Sequence, residues 1–216
     1  MTESKRKLKT HDRAATERAL LEAAARLFSE KGYEGTTTRE IAESADCAEA
    51  LIQRYYGGKN GLLLTIIKEG LLKTPTVDIA KLPFVESLVA EIEQIFRATA
   101  ENLHNRSQHI RITFSRALID PDFKDFKKIV MRPERLAAVE QRLTRYSDEG
   151  MVDASIDLGA ASEMLLGGIF QLAFVHRQVM RIGKVEYATK SLGFCKIFAR
   201  GIAPIQPADD PSLIAT

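Results

Sequence analysis

The sequence predicts an all-α protein in which a small N-terminal group of three helices precedes a larger C-terminal helical bundle. Three observations predict this fold class. Apolar residues recur with the period of a helix along nearly all of the chain, whereas strand-like alternation is hard to find. Gly and Pro interrupt this periodicity at intervals typical of helix ends. The chain has 216 residues and a hydrophobic content of 45%, which is enough to bury a core.

The first two helices have clear boundaries. Leu20 and Phe28 belong to the apolar face of the first helix, and Gly32 ends it. Thr37 and Glu40 then have the spacing of a capping box, in which each side chain bonds the other residue's backbone. This pair predicts the start of a short second helix.

A third helix is predicted from about Ala48 to Tyr56, with Ile52 and Tyr56 on its inner face, and Gly57 ends it. A fourth follows from Leu62 to about residue 73. Beyond Pro83 the periodic segments are longer, and we predict helices over residues 84–103, 106–119, 123–131, 133–146, 157–181 and 184–200. The tail from residue 204 is rich in Pro and Asp, so we expect it to be disordered.

Composition argues against several classes of protein. No run of about eighteen apolar residues predicts a membrane span, and the polar, basic N-terminus does not resemble a secretion signal. Cys47 and Cys195 lie far apart in the sequence, so we do not expect a disulfide framework. We expect a cytoplasmic location instead. The net charge of +2 does not by itself indicate nucleic-acid binding. One basic run stands near the N-terminus, comprising Lys5, Arg6, Lys7, Lys9 and Arg13, and such a run is more often a solvated tail than a binding arm.

The second and third helices form a helix-turn-helix pattern, braced by the first. In such a unit the second helix of the pair lies in the major groove, so its outer face must be free of core contacts. The outer positions here are Glu49, Ala50, Leu51, Gln53 and Arg54. The first helix of the pair meets the DNA backbone with its N-terminal turn, where Thr37, Thr38 and Arg39 stand.

A longer string over residues 16–63 is more specific than this pattern. It closely resembles the N-terminal domain of the TetR family of repressors. The matching elements are Ala23-Ala24, Leu27-Phe28, Lys31-Gly32-Tyr33, Thr36-Thr37-Thr38, Ile41-Ala42, Ala45, Ile52, Tyr55-Tyr56, Lys59 and Leu62-Leu63. The chain length and the helical C-terminal part also look like this family, although there the likeness is one of architecture.

The resemblance implies a homodimer that reads a palindromic operator and leaves DNA when its larger domain binds a small molecule. It adds Tyr55 as a DNA-facing residue and Lys59 as a phosphate contact; for Tyr55, packing between helices is an equal alternative. The implied organisation is a flexible basic arm at 1–15, a DNA-binding domain at 16–62, a ligand-binding and dimerisation domain at 63–203 and a disordered tail at 204–216. No cofactor is implied.

Four positions depart from the family pattern. Asp46 stands where Gly is usual in the turn, and Asp tolerates the left-handed conformation. Ala48 cannot cap the third helix, so we expect Asp46 to cap it instead. Gln53 replaces a frequent Tyr, and Glu49 places a carboxylate near phosphates unless it accepts from a cytosine amino group. The operator sequence is therefore not predictable.

An effector pocket is expected inside the larger domain, mostly apolar with a few polar groups. The candidate lining residues are Phe96, His104, Ile112, Phe114, Phe126, Met131, Met164, Phe170 and Phe174, whose Phe and Met content favours an apolar ligand. Ordinary core packing is the stronger alternative for each of them. His104, His109 and His176 lack the spacing of a metal pair, so no metal site is expected.

The resemblance to the TetR family also implies that the last two helices form the dimer interface. The sequence supports this, because residues 157–181 are apolar on more than one face and contain Gly167-Gly168. A central helix of a monomer is the alternative. Two other functions stay open. The first is a helical enzyme, which is disfavoured because the sequence contains no nucleophile–base, metal or nucleotide motif. The second is a protein-interaction adaptor that has lost DNA binding, which stays open because of Glu49 and the nearly neutral charge of the helix-turn-helix segment. Activation rather than repression of transcription is equally compatible with the sequence.

Overall fold

The computed structural model describes residues 3–73, 77–119 and 133–204, and the regular structure within these ranges is helical, which confirms the predicted fold class. The α-helices are α1 (Glu3–Lys31), α2 (Thr38–Ser44), α3 (Ala50–Tyr56), α4 (Lys59–Lys73), α5 (Leu88–Asn105), α6 (Ser107–Ile119), α7 (Pro133–Asp148), α8 (Leu158–Phe170) and α9 (Lys184–Ile202). A short 3₁₀ helix spans Ile79–Lys81, and a π-helix spans Gln171–Val179. The predicted helix at 123–131 and the tail from 205 onward lie outside the described residues.

The chain divides into two compact units. The first contains α1 to α4 and α6, and the second contains α5, α7 to α9 and the 3₁₀ and π segments. In the first unit, α1 packs against α2, α4 and α6, and α3 packs against α4. Its core includes Leu20, Phe28, Ile41, Ile52 and Leu62, each at most 2% exposed. The predicted boundary between residues 62 and 63 falls inside α4, because Leu63 and Ile66 are buried in the same unit as Leu62.

The first helix is longer than expected. It begins at Glu3, so it includes residues 3–15, which we expected to form an arm. No Gly or Pro interrupts this stretch. Ion pairs one helical turn apart join Arg13 to Glu17 and Arg18 to Glu22, and such pairs favour helix continuation.

The second unit is held partly by a buried ion pair. Arg142 of α7 is 2% exposed and Glu91 of α5 is fully buried, and the Arg142 guanidinium donates to the Glu91 carboxylate. Arg142 also donates to the carbonyl oxygens of Leu82 and Pro83 at 2.8 and 2.9 Å. Each of the three guanidinium nitrogens of Arg142 thus donates to at least one acceptor, as burial of a charge requires.

The helix predicted over residues 157–181 is present, but it changes from an α-helix to a π-helix where α8 continues into Gln171–Val179. Asp157 caps it, accepting from the backbone N–H of Ala160 at 3.0 Å. The stretch Leu158–Val179 is also long and apolar enough to cross a membrane by length and composition alone. It packs against α5, α7 and α9, but only 39% of the stretch is buried within the structure.

Candidate nucleic-acid interface

The turn between α2 and α3 is built on Asp46. Asp46 has φ of 51°, in the left-handed region, which confirms that Asp can replace Gly there. The following backbone N–H, of Cys47, donates to the carbonyl oxygen of Ala42 at 3.0 Å and closes the turn. The expected cap is wrong, however. Glu49 occupies the N-cap position of α3 in helical conformation, and no side chain caps the helix, because Asp46 lies too far back in the turn.

The capping box at the start of α2 is confirmed. The Thr37 hydroxyl oxygen accepts from the Glu40 N–H, and the Thr37 N–H donates to the Glu40 carboxylate at 2.9 Å. Lys31, at the end of α1, donates to the same carboxylate at 2.8 Å. The Lys31 ammonium and then the Thr37 donors lower the pKa of Glu40 to about 2. The box therefore fixes the N-terminus of α2 against the end of α1, and it occupies the hydroxyl of predicted contact residue Thr37.

The third helix has one buried face and one open face. Ile52 is 1% exposed, whereas Glu49, Ala50, Gln53 and Arg54 are exposed and Leu51 is half-buried. Gly57 ends the helix with φ of 70°, as predicted. The geometry thus leaves the predicted contact face free of core packing.

Two residues at the start of α2 are already paired. The Thr38 hydroxyl donates to the Glu49 carboxylate, which joins α2 to the start of α3. Arg39 pairs with Glu43 at 2.9 Å, but both side chains are mostly exposed. Such a surface pair stabilises a fold by less than about 1 kcal/mol, so it yields readily to a phosphate.

The end of α3 is fastened to α1. The Tyr56 hydroxyl donates to the carbonyl oxygen of Glu17 at 2.8 Å, and burial raises the pKa of Tyr56 to about 12. The neighbouring Tyr55 ring is half-buried and lies 5.0 Å from the Arg13 guanidinium and 6.0 Å from that of Arg54. Tyr55 therefore has a packing role in addition to its predicted contact with DNA. The sequence placed Tyr56 on the inner face of the helix but did not predict its hydrogen bond to Glu17, and it did not predict the contact of Arg13 with Tyr55.

The Lys59 side chain makes contacts within the protein that the sequence did not predict. Its ammonium group donates to the carbonyl oxygens of Tyr33 and Thr36, each at 2.9 Å, and lies 4.2 Å from the centre of the Tyr33 ring. The resemblance implied a phosphate contact at this residue. The structure directs two of its three N–H donors to the backbone between α1 and α2, because these carbonyl groups lie beyond the end of α1 and have no helical partner.

The candidate effector residues are divided between the two units. Ile112 and Phe114 belong to α6 in the first unit, whereas Phe96, His104, Met164, Phe170 and Phe174 belong to the second. Phe126 and Met131 lie outside the described residues. Phe96 is buried beside Tyr187 and Phe194, with ring centres 6.3 and 6.1 Å away. Phe170 stacks on Phe174 at 5.1 Å.

Two of these candidates require correction. Met164 is 70% exposed on α8, and His104 is exposed near the end of α5, so neither lines an enclosed space in the second unit. Helical spacing identifies a face but not which neighbour covers it. A cleft of about 420 Å³ does lie in this unit, and none of the predicted residues that the structure describes lines it. Its walls are Val77, Asp78, Ile79, Lys81, Glu134, Arg135 and Ala138.

Comparison with known proteins identifies the N-terminal segment. Residues 20–66 match the family model of bacterial regulatory proteins of the tetR family. The chain is 32% identical over 111 residues to the probable HTH-type transcriptional regulator YttP of Bacillus subtilis, which covers 50% of this chain and 53% of YttP. It is 29% identical over 141 residues to the HTH-type transcriptional repressor AcnR of Corynebacterium glutamicum, covering 64% of this chain and 70% of AcnR. The chain thus spans about half the length of YttP.

Solved structures extend the likeness to the whole fold. The ketosteroid transcriptional regulator KstR2 of Mycobacterium tuberculosis aligns with a TM-score of 0.62 and 18% identity, covering 88% of this chain and 95% of that one. GusR of Salmonella enterica aligns with a TM-score of 0.57 and 16% identity, covering 86% and 95%. At these identities the likeness concerns the fold alone. The relatives found by sequence are transcriptional regulators rather than enzymes.

Proposed function

We propose that the chain, whose residues 20–66 match the family model of bacterial regulatory proteins of the tetR family, is a dimeric, ligand-responsive transcriptional regulator, most simply a cytoplasmic repressor. Each protomer inserts α3 into one half-site of a palindromic operator. A small molecule bound by the second unit releases the DNA.

The observation that carries the proposal is the division of α3 into two faces. Ile52 alone anchors the helix in the core, and Tyr56 fastens its end to α1. Gln53 and Arg54 remain exposed on the opposite side, where Gln can read adenine and Arg can read guanine or bind phosphate. A rigidly held helix with an unoccupied polar face is what major-groove reading requires.

Dimerisation is supported by apolar side chains left exposed on α8, the π-helix and α9. The exposed fractions are 70% for Met164, 64% for Val179, 83% for Val185 and 73% for Ile197. Gly167 of α8 and Gly193 of α9 have open space where a Cβ would stand, which permits close approach of another helix. A group of exposed apolar side chains on neighbouring helices favours a partner surface of the same kind.

The effector is proposed to be a largely apolar small molecule bound within the second unit. The aromatic rings of Phe96, Tyr187, Phe194 and Phe198 form a connected cluster between α5 and α9. Aromatic and apolar surroundings with few polar groups suit such a ligand. Phe170 and Phe174 extend the apolar interior along the π-helix.

The proposal is tested by selecting duplexes from a randomised pool with the full chain at moderate salt. Enrichment of a palindrome with half-sites about one helical turn apart or somewhat more is expected. Arg54→Ala should abolish the enrichment. Arg97→Ala removes an exposed arginine from α5 in the second unit and should leave it intact. Equal enrichment with both variants would exclude reading by α3.

A second candidate function is a protein-interaction adaptor, favoured by one observation. Glu49 places an exposed carboxylate at the start of the reading helix, where it repels phosphate. The adaptor function becomes the better account if the wild-type chain enriches no duplex and shows no salt-dependent binding, since phosphate contacts necessarily release counterions.

A further inference from the structure

The aromatic cluster of the second unit has a cation at its edge. Phe96 of α5 lies 6.3 Å from Tyr187 of α9, measured between ring centres. The guanidinium of Arg177, on the π-helix, lies 5.0 Å from the centre of the same Tyr187 ring. Arg177 and Tyr187 are both half-buried. Three elements of the second unit thus meet around one apolar surface that carries a positive charge.

This charge has no carboxylate beside it within the described ranges of the chain. The π-helix contains no acidic residue, and Glu186, which precedes Tyr187, pairs with Lys190 at 3.7 Å instead. Arg142 in the same unit shows the usual arrangement, because it is paired with buried Glu91. A guanidinium that is partly withdrawn from water without such a partner is suited to an anion from outside the chain.

Buried polar atoms near the cation and the rings also lack protein partners. Thr99 follows Phe96 by three residues, so the two side chains are neighbours on one face of α5. Thr99 is 2% exposed, and its hydroxyl makes no hydrogen bond with the residues that the structure describes. The same holds for Nδ1 of His176, which precedes Arg177. Buried polar groups of proteins are almost always satisfied, so these atoms indicate a place for a ligand or for water.

The helix type supports the same assignment. π-helices are rare and occur mainly at functional sites, because their wider turn is less stable than that of an α-helix. Here the π-helix carries both His176 and Arg177 and packs against α5 and α9. The irregular turn therefore belongs to the segment that presents the cation and an unpartnered ring nitrogen.

We propose that the second unit binds an amphipathic organic anion, whose charged group pairs with Arg177 and whose apolar body packs against the rings of Phe96 and Tyr187. The inference rests on the proposed function, since it adds a negative charge to the largely apolar effector proposed for this unit. A guanidinium can hold two oxygen atoms of an anion with parallel N–H donors. The rings supply the apolar contact, and the Tyr187 ring keeps the guanidinium in place.

The experiment is a fluorescence titration of the full chain, without DNA, with two probes that share one ring system. Anilinonaphthalene sulfonate carries an anionic group, whereas phenylnaphthylamine is the same ring system without the sulfonate. Arg177→Gln removes the charge, and Arg177→Lys retains it. Both variants lose the guanidinium on Tyr187, so a general disturbance of the fold affects both alike. Arg97→Gln removes an exposed arginine from α5 and is the matched control.

Arg177→Gln should weaken binding of the sulfonate probe by about tenfold, as expected for the loss of a charge-assisted hydrogen bond. It should leave binding of the uncharged probe nearly unchanged. Arg177→Lys should retain most of the affinity for the sulfonate, and Arg97→Gln should behave like the wild-type chain.

Three results would overturn the inference: no binding of the sulfonate probe by the wild-type chain, an equal loss for both probes with Arg177→Gln, or an equal loss with Arg97→Gln. Each of them leaves duplex reading by α3 intact. The opposite result separates the two proposals as well. If the sulfonate binds through Arg177 but the chain selects no duplex, the anion site stands and the proposed function fails.

Discussion

Lys59 has a structural role in addition to the phosphate contact that the sequence resemblance implies. Its two hydrogen bonds connect the start of α4 to the loop between α1 and α2. The Tyr33 ring beside it also stacks on the guanidinium of Arg116, 4.9 Å away on α6. Lys59 thus joins three parts of the first unit before any DNA is present.

We therefore predict that Lys59→Met lowers stability as well as DNA affinity. Hydrogen bonds to charged groups contribute about 1.5–3 kcal/mol, and the substitution removes the Lys59 bond to the Thr36 carbonyl and one of the two bonds to the Tyr33 carbonyl, which also accepts from the Thr36 N–H at 3.3 Å. We therefore expect about 2 kcal/mol of destabilisation in urea unfolding. Arg54→Met is the control, because an exposed side chain should change stability by no more than about 0.5 kcal/mol. Unchanged unfolding of Lys59→Met would mean that its role is confined to phosphate binding.

The second unit allows a buried and an exposed ion pair on the same helix to be compared. Both Arg142 and Arg145 belong to α7, and Arg142 pairs with fully buried Glu91 whereas Arg145 pairs with Glu149 at 2.9 Å on the surface. Glu91→Ala leaves a buried guanidinium without its counter-charge. We expect a loss of about 3–5 kcal/mol, against less than about 1 kcal/mol for Glu149→Ala.

Calorimetric unfolding of both variants measures this difference. If Glu91→Ala and Glu149→Ala lower the free energy of unfolding by a similarly small amount, water reaches Arg142 and compensates for the missing carboxylate. Arg142 would then retain its bonds to the backbone of the segment before α5, and the ion pair itself would contribute little.

At the scale of elements, local signals were predictable and distant partners were not. The capping box of α2 and the left-handed Gly57 both depend on residues within one turn, so the sequence identified them. The π-helix was not identified, because the wider turn leaves the apolar pattern of 157–181 almost unchanged. The Glu91–Arg142 pair joins residues that no local pattern connects, and Arg13 was recognised only as part of a charged run.

The contact between α4 and α6 is another feature that sequence alone did not predict. The His109 ring of α6 packs against Gly70 of α4, and a Cβ built at Gly70 would lie 2.0 Å from its Cδ2 atom. His109 is half-buried, and its Nδ1 atom has no hydrogen-bond partner. Burial lowers the pKa of His109, so the neutral ring occupies this space at neutral pH.

Gly70→Ala should therefore separate the two helices. Overpacking of this kind costs about 1–3 kcal/mol, despite the better helix propensity of Ala. Gly201→Ala in α9 has open space around the added methyl group and should be neutral or slightly stabilising. A double variant, Gly70→Ala/His109→Ala, should be less destabilised than the sum of its single variants, and simple additivity in chemical unfolding would contradict the contact.

At the scale of the whole molecule, DNA reading by one short helix is not sufficient for operator recognition. α3 has seven residues, so one protomer can touch only a few base pairs. Specificity for a palindrome requires two copies held at a fixed spacing. Under the proposed function, the exposed apolar residues of α8 and α9 hold two copies of the chain together, and the polar face of α3 in each copy reads one half-site.

Disruption of the proposed dimer surface should consequently affect binding at a distance from the DNA. Ile197→Lys introduces a charge into an exposed apolar position of α9, and burial of an unpaired charge opposes association. We expect a monomeric mass by light scattering and a loss of operator affinity of at least tenfold, which corresponds to about 1.4 kcal/mol. Leu118→Lys is the matched control, since Leu118 is 84% exposed but lies on α6 in the first unit. If Ile197→Lys stays dimeric while Leu118→Lys becomes monomeric, the dimer surface belongs to the first unit. Contacts of α6 would then set the spacing between the two copies of α3.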